Sequence, residues 1–285
     1  MAALASARDV TSTAYICVTC GVQQAPTASP PERCPICEDE RQYVRRGGQV
    51  WTTLDRLRAD GYGISLRELE PRLVGVGVDP SLGIGQRALL VRTPDGNILW
   101  DCVGYIDDAA VEAVRAWGGL RAIAMSHPHF YGACVEWSRA LGGARIYVPE
   151  ADRAWVQYAD PAVTYWSGSI ELVRGVTLVQ CGGHFEGSAV LHWSAGADGR
   201  AALLVGDSIT VVPDVRFVSF MRSYPNLIPL PEDEVRRIQA SVAPYPFDRI
   251  YGGWWDRVVP AGGQEALRAS ADRYLRWIGA RSAGR

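Results

Sequence analysis

Four of the seven cysteines fall close together near the N-terminus, as Cys17-x2-Cys20-x13-Cys34-x2-Cys37. Two Cys-x-x-Cys turns can each present two thiolates inward and together complete a tetrahedral S4 shell around zinc or iron. The intervening loop, AlaProThrAlaSerProPro (25–31), carries no apolar core of its own, so a segment this small needs a staple. Disulfides are the weaker alternative. The first twelve residues include Arg8 and Asp9 and lack the continuous apolar stretch of a secretory signal, so the expected compartment is the reducing cytoplasm.

The stretches TyrIleCysValThrCysGly (15–21) and ArgCysProIleCys (33–37) resemble rubredoxin and zinc-ribbon knuckles. A structural Zn²⁺ at Cys17, Cys20, Cys34 and Cys37 is the expected occupant, with redox iron as the sharper alternative. The polar segment 38–48, ending in Gly47 and Gly48, reads as the exit from this module, which divides the chain into 1–48 and 49–285.

The 29 basic residues are all arginine. Without lysine, Schiff-base enzymes, phosphate-loop NTPases and Ser-x-x-Lys acyl enzymes are excluded. No G-x-S-x-G elbow is present, which argues against a serine hydrolase. The glycines at 75, 77, 83 and 85 lead into the strand-like 87–91, not a helix, and are poor evidence for dinucleotide binding. A formal charge of -2 provides no broad basic field, so neither nucleic acid nor a membrane surface is an expected partner. No apolar run reaches the ~20 residues of a membrane-spanning helix.

From Arg72 onward the pattern is rich in strands, at 72–78, 86–93, 97–102, 121–125 and 145–148, and again at 169–173, 176–181, 188–193, 201–206 and 216–220. Pro94–Gly96 marks a hairpin turn. Helices are expected from Asp107 or Asp108 to Trp117, at 133–141, at 232–242 and at 263–280. Two packed sheets with helices outside satisfy that order.

Only four histidines occur. His127 and His129 follow the apolar segment 122–126, and at i and i+2 of an extended chain both rings project to one side. His184 lies in GlyGlyHisPheGluGlySer (182–188), another glycine-rich turn. His192, within AlaValLeuHisTrp (189–193), reads as structural.

IleLeuTrpAspCysValGly (98–104), SerHisProHis (126–129), the 182–188 turn and LeuLeuValGlyAspSer (203–208) occur in the order of the metallo-β-lactamase superfamily motifs, which the chain thereby resembles over most of 72–256. The resemblance implies an α/β fold, a four-layer αβ/βα sandwich carrying the small four-cysteine module. It implies that His127, His129, His184 and Asp207 ligate a metal and that Asp101 is a structural carboxylate or one standing behind the ligands. Where the family motif H-x-H-x-D-H continues, this chain has Tyr131 and Gly132, and Trp254 stands where a last histidine is usual.

Asp207 alone cannot hold a second divalent ion against hydration, so one ion, Zn²⁺ or Fe²⁺, is the consistent reading. Three neutral imidazoles leave that ion its full charge, enough to bring the pKa of an attached water toward ~7. Asp207 would orient the water or take its proton, and Tyr131 could donate to a developing oxyanion. The leading expectation is a hydrolase of an ester, lactone or thioester in a small molecule with an apolar part. An iron oxidoreductase served by a rubredoxin-like knuckle, and a non-catalytic scaffold with a degenerate centre, are the alternatives. Cys102, Cys134 and Cys181 read as inert buried thiols. The aromatic, proline-rich segments 155–166 and 223–231 suit either a pocket wall or a homodimer surface.

Overall fold

Strands built of Val, Leu and Ile with period-two alternation dominate the fold, seen here in a computed structural model that describes residues 12–279. The first eleven residues of the 1–48 module, the last six of 49–285 and the expected end of the final helix at 280 lie outside the described residues.

Seven strands form the first sheet in sequence order: Gly63–Glu70, Leu73–Asp79, Ala88–Val91, Ile98–Trp100, Ala122–Ala124, Arg145–Pro149 and Val163–Trp166. Pairing is antiparallel through Ile98–Trp100 and parallel beyond it. The second sheet contains Ser169–Val173, Val176–Gln180, Ala189–Trp193, Ala202–Val205, Arg249–Tyr251 and Val258–Val259.

Alternation decides which layer each side chain enters. Leu89 and Val91 face the second sheet, where they meet Leu178, Leu191, Trp193 and Leu204. Leu90 and Ala88 face outward, toward Val111 and Val114 of helix Asp108–Ala116 and Val135 and Trp137 of helix Cys134–Ala140. On the other side Leu203 and Val205 meet Val235 and Ile238 of Glu232–Val242 and Leu267 and Ala271 of Gly263–Trp277. Each such fully buried aliphatic side chain stabilises the fold by roughly 1.5–3 kcal/mol. The result is the expected four-layer αβ/βα sandwich.

Several elements differ from expectation. Gly63–Glu70 precedes Arg72, and its half-exposed, charged edge position hides the alternation. Val163–Trp166 forms the other edge of the same sheet, within the 155–166 segment for which no strand is expected. The strand expected at 216–220 contracts to Val218–Ser219, and the last helix ends at Trp277. Asp107 caps helix Asp108–Ala116 as expected, accepting from the Ala110 amide at 2.8 Å.

Gly75 and Gly77, one face of Leu73–Asp79, form a slot for the Trp255 ring: a Cβ on either would lie 2.5 Å from it. Arg67 covers the ring at 4.2 Å. These glycines therefore serve sheet packing. Gly77→Ala is expected to cost about 1–3 kcal/mol through overpacking and to lower the calorimetric Tm by about 2–10 °C. A Tm unchanged within a degree would show that the indole is not wedged there.

The cysteine knuckle is built into the main structure. Ile16–Cys17 pairs with Trp51–Thr52, beyond the Gly48 exit. The Gln23 amide donates to the Gly132 carbonyl and the Ala25 amide to that of Gln157, each at 3.0 Å. All four cysteines, with Val22 and Ile36, belong to the same buried cluster as Val74, Val76 and Leu90. No helix among the described residues is long and apolar enough to cross a membrane.

Candidate metal centre

Three strand ends deliver the ligand candidates. His127 ends the extended run after Ala122–Ala124, but Pro128–Phe130 then forms a 3-10 turn. His127 and His129 thus share a side because the chain curls at Pro128, and the extended i, i+2 geometry expected for them is corrected accordingly. His184 follows Val176–Gln180 across Gly182 and Gly183, both in the left-handed region, and Asp207 follows Ala202–Val205.

The four side chains converge. Asp207 Oδ2 lies 3.3 Å from His127 Nε2, 3.9 Å from His129 Nδ1 and 3.8 Å from His184 Nε2. His184 Nε2 and His129 Nδ1 are 3.2 Å apart. Donors placed at ~2.0–2.2 Å around one tetrahedral ion would stand about 3.3–3.6 Å from one another, so the set fits a small divalent cation.

The outer atoms fix the inner ones. His184 Nδ1 lies 3.0 Å from the Met221 carbonyl, which can only accept, so the neutral ring carries its proton there and turns the Nε2 lone pair inward. His127 Nδ1 lies 2.8 Å from Ser126 Oγ. Behind it, Asp101 accepts the Ser126 amide at 2.7 Å, from a backbone held at φ 63°. Asp101 thus stands behind the ligand, positioning the 126–127 peptide. Burial pushes its carboxyl well above the usual range, partly offset by the Ser126 bonds.

Burial also lowers His129 and His184, favouring the neutral imidazoles that a metal requires. For Asp207 burial acts upward, but the imidazoles of His127, His129 and His184 facing the carboxylate favour its anionic form and hold it far below the usual range. His127 Nε2, His129 Nε2 and Asp207 Oδ1 are buried with no hydrogen-bond partner. Each orphaned polar atom costs about 1–3 kcal/mol, and an ion within the cluster would satisfy His127 Nε2.

At the knuckle, Cys17 Sγ and Cys37 Sγ are 3.5 Å apart and Cys20 Sγ and Cys34 Sγ 3.8 Å. Those separations are far above a ~2.05 Å disulfide and match the edge of about 3.7 Å of an S4 tetrahedron with ~2.3 Å bonds. Gln49 Nε2 donates to Cys17 Sγ at 3.2 Å. All four thiols are free. Among the described residues, these two clusters are the groups able to hold a metal ion.

No family model matches the chain. The uncharacterized protein YmaE of Bacillus subtilis strain 168 is 46% identical over 264 residues, which is 92% of this chain and 96% of that protein. In the solved structures, DIM-1 metallo-β-lactamase superposes with a TM-score of 0.54 at 15% identity, covering 74% of this chain and 97% of its own. A metallo-β-lactamase from Hirschia baltica gives 0.51 at 18%, covering 73% and 96%. The chain belongs to the YmaE family and has the metallo-β-lactamase fold.

Within this YmaE-family chain, the remaining candidates fall away from the four ligands. Tyr131 is buried with its hydroxyl unpartnered, in the wall of a largely apolar cavity lined also by Val22, Cys134, Ile146 and Val163. The turn at Pro128 carries it there. Gly132, at φ 50°, has no room for a side chain: a Cβ would lie 2.5 Å from the Val103 carbonyl oxygen. Trp254 donates to the Ile84 carbonyl and packs its ring 5.9 Å from Phe130, which in turn lies 4.5 Å from His127. It supports the site at one remove. Cys102 and Cys181 are buried beside carbonyls, and burial pushes the thiols of Cys134 and Cys181 up to about 12. His192 bonds the Pro246 carbonyl, as a structural histidine would.

Other residues at the site gave no individual sequence signal. Tyr224 donates to the Asp207 carbonyl at 2.9 Å, so the 223–231 segment borders the centre. Trp155 packs on Phe185 at 5.3 Å, whereas Val156, Tyr158 and Val163 line the Tyr131 cavity. Arg41 reaches the His184 carbonyl.

Asp152 is fully buried, accepting the Gly187 amide at 2.8 Å through Oδ1 while Oδ2 has no partner. Burial, opposed by that amide, pushes its carboxyl up to about 7. A raised carboxyl holds its proton more tightly in the folded chain, so its contribution is fully present below about pH 4 and is lost as pH rises through about 7. Asn retains the acceptor for Gly187 and removes the buried charge. Asp152→Asn is therefore expected to be more stable than the native protein at about pH 8 by about 2–4 kcal/mol in urea melts, the gap closing toward pH 4. A gap independent of pH would contradict this.

Proposed function

We propose that this chain is a metal-dependent hydrolase with one catalytic ion, acting in the cytoplasm on an ester, lactone or thioester carbonyl of a small molecule with an apolar part. The observation that carries the reading is the convergence of three imidazole nitrogens on Asp207 Oδ2 at 3.3–3.9 Å. His127, His129, His184 and Asp207 would hold a divalent ion, which would supply Lewis acidity and lower the pKa of a water toward neutrality.

The chain's own groups do the rest. Asp207 presents Oδ1, which has no hydrogen-bond partner, to accept from a water and orient it. Met221 and Ser126 hold the rings of His184 and His127. Phe130, Phe185 and Tyr224 surround the ligands with aromatic surface, which keeps competing water out and suits an apolar substrate portion.

A single ion is favoured by the lack of donors for a second. Gly132 cannot accept a side chain, Tyr131 turns into the apolar cavity, and Trp254 is bonded to Ile84. Zinc is the proposed occupant of the cysteine site, and seven free thiols suit a reducing compartment.

Elemental analysis beside an ester, lactone and thioester panel tests the reading. Two metals per chain, with turnover that chelation abolishes and re-addition restores, is the expected result. Three metals would overturn the single ion. Iron with a visible absorption band would favour the oxidoreductase, and a His127→Ala variant with unchanged metal content and turnover would favour a non-catalytic scaffold.

A further inference from the structure

His184 lies in the turn 181–188 and not on a helix or strand. It sits in a loop behind Gly182 and Gly183, at φ 68° and 90°, whereas His127 and His129 are tied to a strand end and a 3-10 turn. The turn closes on itself through Ser188, and two further bonds reach His184 itself from outside the cluster, both leading back to the cysteine knuckle.

The first is Arg41, four residues after Cys37. Its buried side chain donates from Nε to the His184 carbonyl at 2.7 Å and from Nη1 to both Asp39 carboxylate oxygens at 2.9 and 3.0 Å. Nη2 reaches Glu186 at 3.3 Å, and the guanidinium covers the Phe185 ring at 4.1 Å. One planar group thus bonds residues 184 and 186 on one side and the knuckle exit on the other. The second grip is the Met221 carbonyl on His184 Nδ1. The strand that carries it, Met221–Ser223, is bound to the same exit segment: Ser223 Oγ donates to the Arg41 carbonyl at 3.2 Å, and Asn226 Nδ2 donates to the Glu40 and Gln42 carbonyls at 2.9 and 3.0 Å.

We propose that Arg41 is a positioning residue that ties His184 to the knuckle, so that metal at the four cysteines raises the metal affinity of the histidine–aspartate centre. This rests on the proposed reading only in requiring that the second cluster bind an ion. When the S4 shell closes, Cys37 is fixed, and with it the segment 38–42 that carries Arg41. The His184 peptide is then presented at the distance the other three ligands need. Changes to groups behind a ligand typically cost 10–100-fold in metal affinity.

The test is a Co²⁺ titration of the full-length, metal-free protein. Thiolate-to-metal absorption reports the cysteine site and visible d–d bands the histidine–aspartate site. In the native protein the thiolate band should saturate first. Arg41→Met should leave the cysteine step unchanged and weaken the histidine–aspartate step by about 10–100-fold. Arg41→Lys keeps the charge over Phe185 but cannot bond His184 and Asp39 as a fork, so it should weaken the same step by a smaller factor. It also carries the test if the methionine variant does not fold.

Histidine–aspartate affinity within twofold of native in the folded variants overturns the proposal, as does equal weakening of both steps. Native protein that fills the histidine–aspartate site before the thiolate band develops also overturns it. Native protein that binds Co²⁺ only at cysteine overturns both this and the catalytic reading, whereas two native sites unaffected by the Arg41 changes overturn the coupling alone.

Discussion

On the proposed reading, His184→Ala is expected to hold one metal ion per chain against two in the native protein, and to lose the proposed hydrolytic turnover. The substitution removes the ligand whose Nε2 faces both His129 Nδ1 and Asp207 Oδ2. Three donors remain, and Asp207 keeps its charge without one of the rings that compensate it. The affinity loss should exceed the ~10–100-fold typical of changes behind a ligand. The four sulfurs lie elsewhere in the structure and should retain their ion. Elemental analysis after gel filtration, together with turnover of the best ester, lactone or thioester, reads the result. Two ions retained with native turnover would show that the cluster is not the metal centre.

Cys34→Ser should have the largest effect on folding. Structural zinc binding in small peptides is worth about 10–16 kcal/mol, as much as the ~5–15 kcal/mol net stability of a typical domain. Cys34 is fully buried, and its cluster continues through Ile36 to Val74, Val76 and Leu90 of the first sheet. Damage at the knuckle therefore reaches the main core. Even if three thiolates and a water recover most of the binding, a loss of about 5 kcal/mol lowers Tm by about 10–20 °C in a chain of this size. Calorimetry of the zinc-containing variant measures this, and a Tm within about 3 °C of native would refute a structural role for the site.

Two packed sheets with helices outside are legible from strand alternation, and the scarcity of histidines draws attention to His127, His129 and His184. The four-layer order and the place of Asp207 come from the resemblance of the ordered motifs to the metallo-β-lactamase superfamily, since nothing in the composition marks one aspartate among many. Tyr131 was harder to place, because proximity to His129 in sequence says nothing about direction once Pro128 starts a 3-10 turn. The glycines at 75 and 77 carry no hint of their purpose until Trp255 arrives from the far end of the chain. Arg41 is the clearest limit. Its bond to the His184 carbonyl spans 143 positions, and nothing in the local text GluAspGluArgGlnTyr distinguishes it from a solvated charge.

The anchoring of the knuckle by distant partners has a bearing on how the chain is made. The four cysteines span a short loop and leave the ribosome before the residues that receive them, so they could bind an ion before that surface exists. The surface that receives them includes Gly132 and Gln157, and Gln157 follows Cys37 by 120 positions (157 − 37). At about 5–20 residues per second the wait is roughly 6–24 s. Throughout it, the segment has no surface to pack against, and the S4 shell is what can hold it in shape. With the proposed zinc in place, the knuckle would reach the sheet already shaped, and its two amides at Gln23 and Ala25 would find the Gly132 and Gln157 carbonyls without a further search.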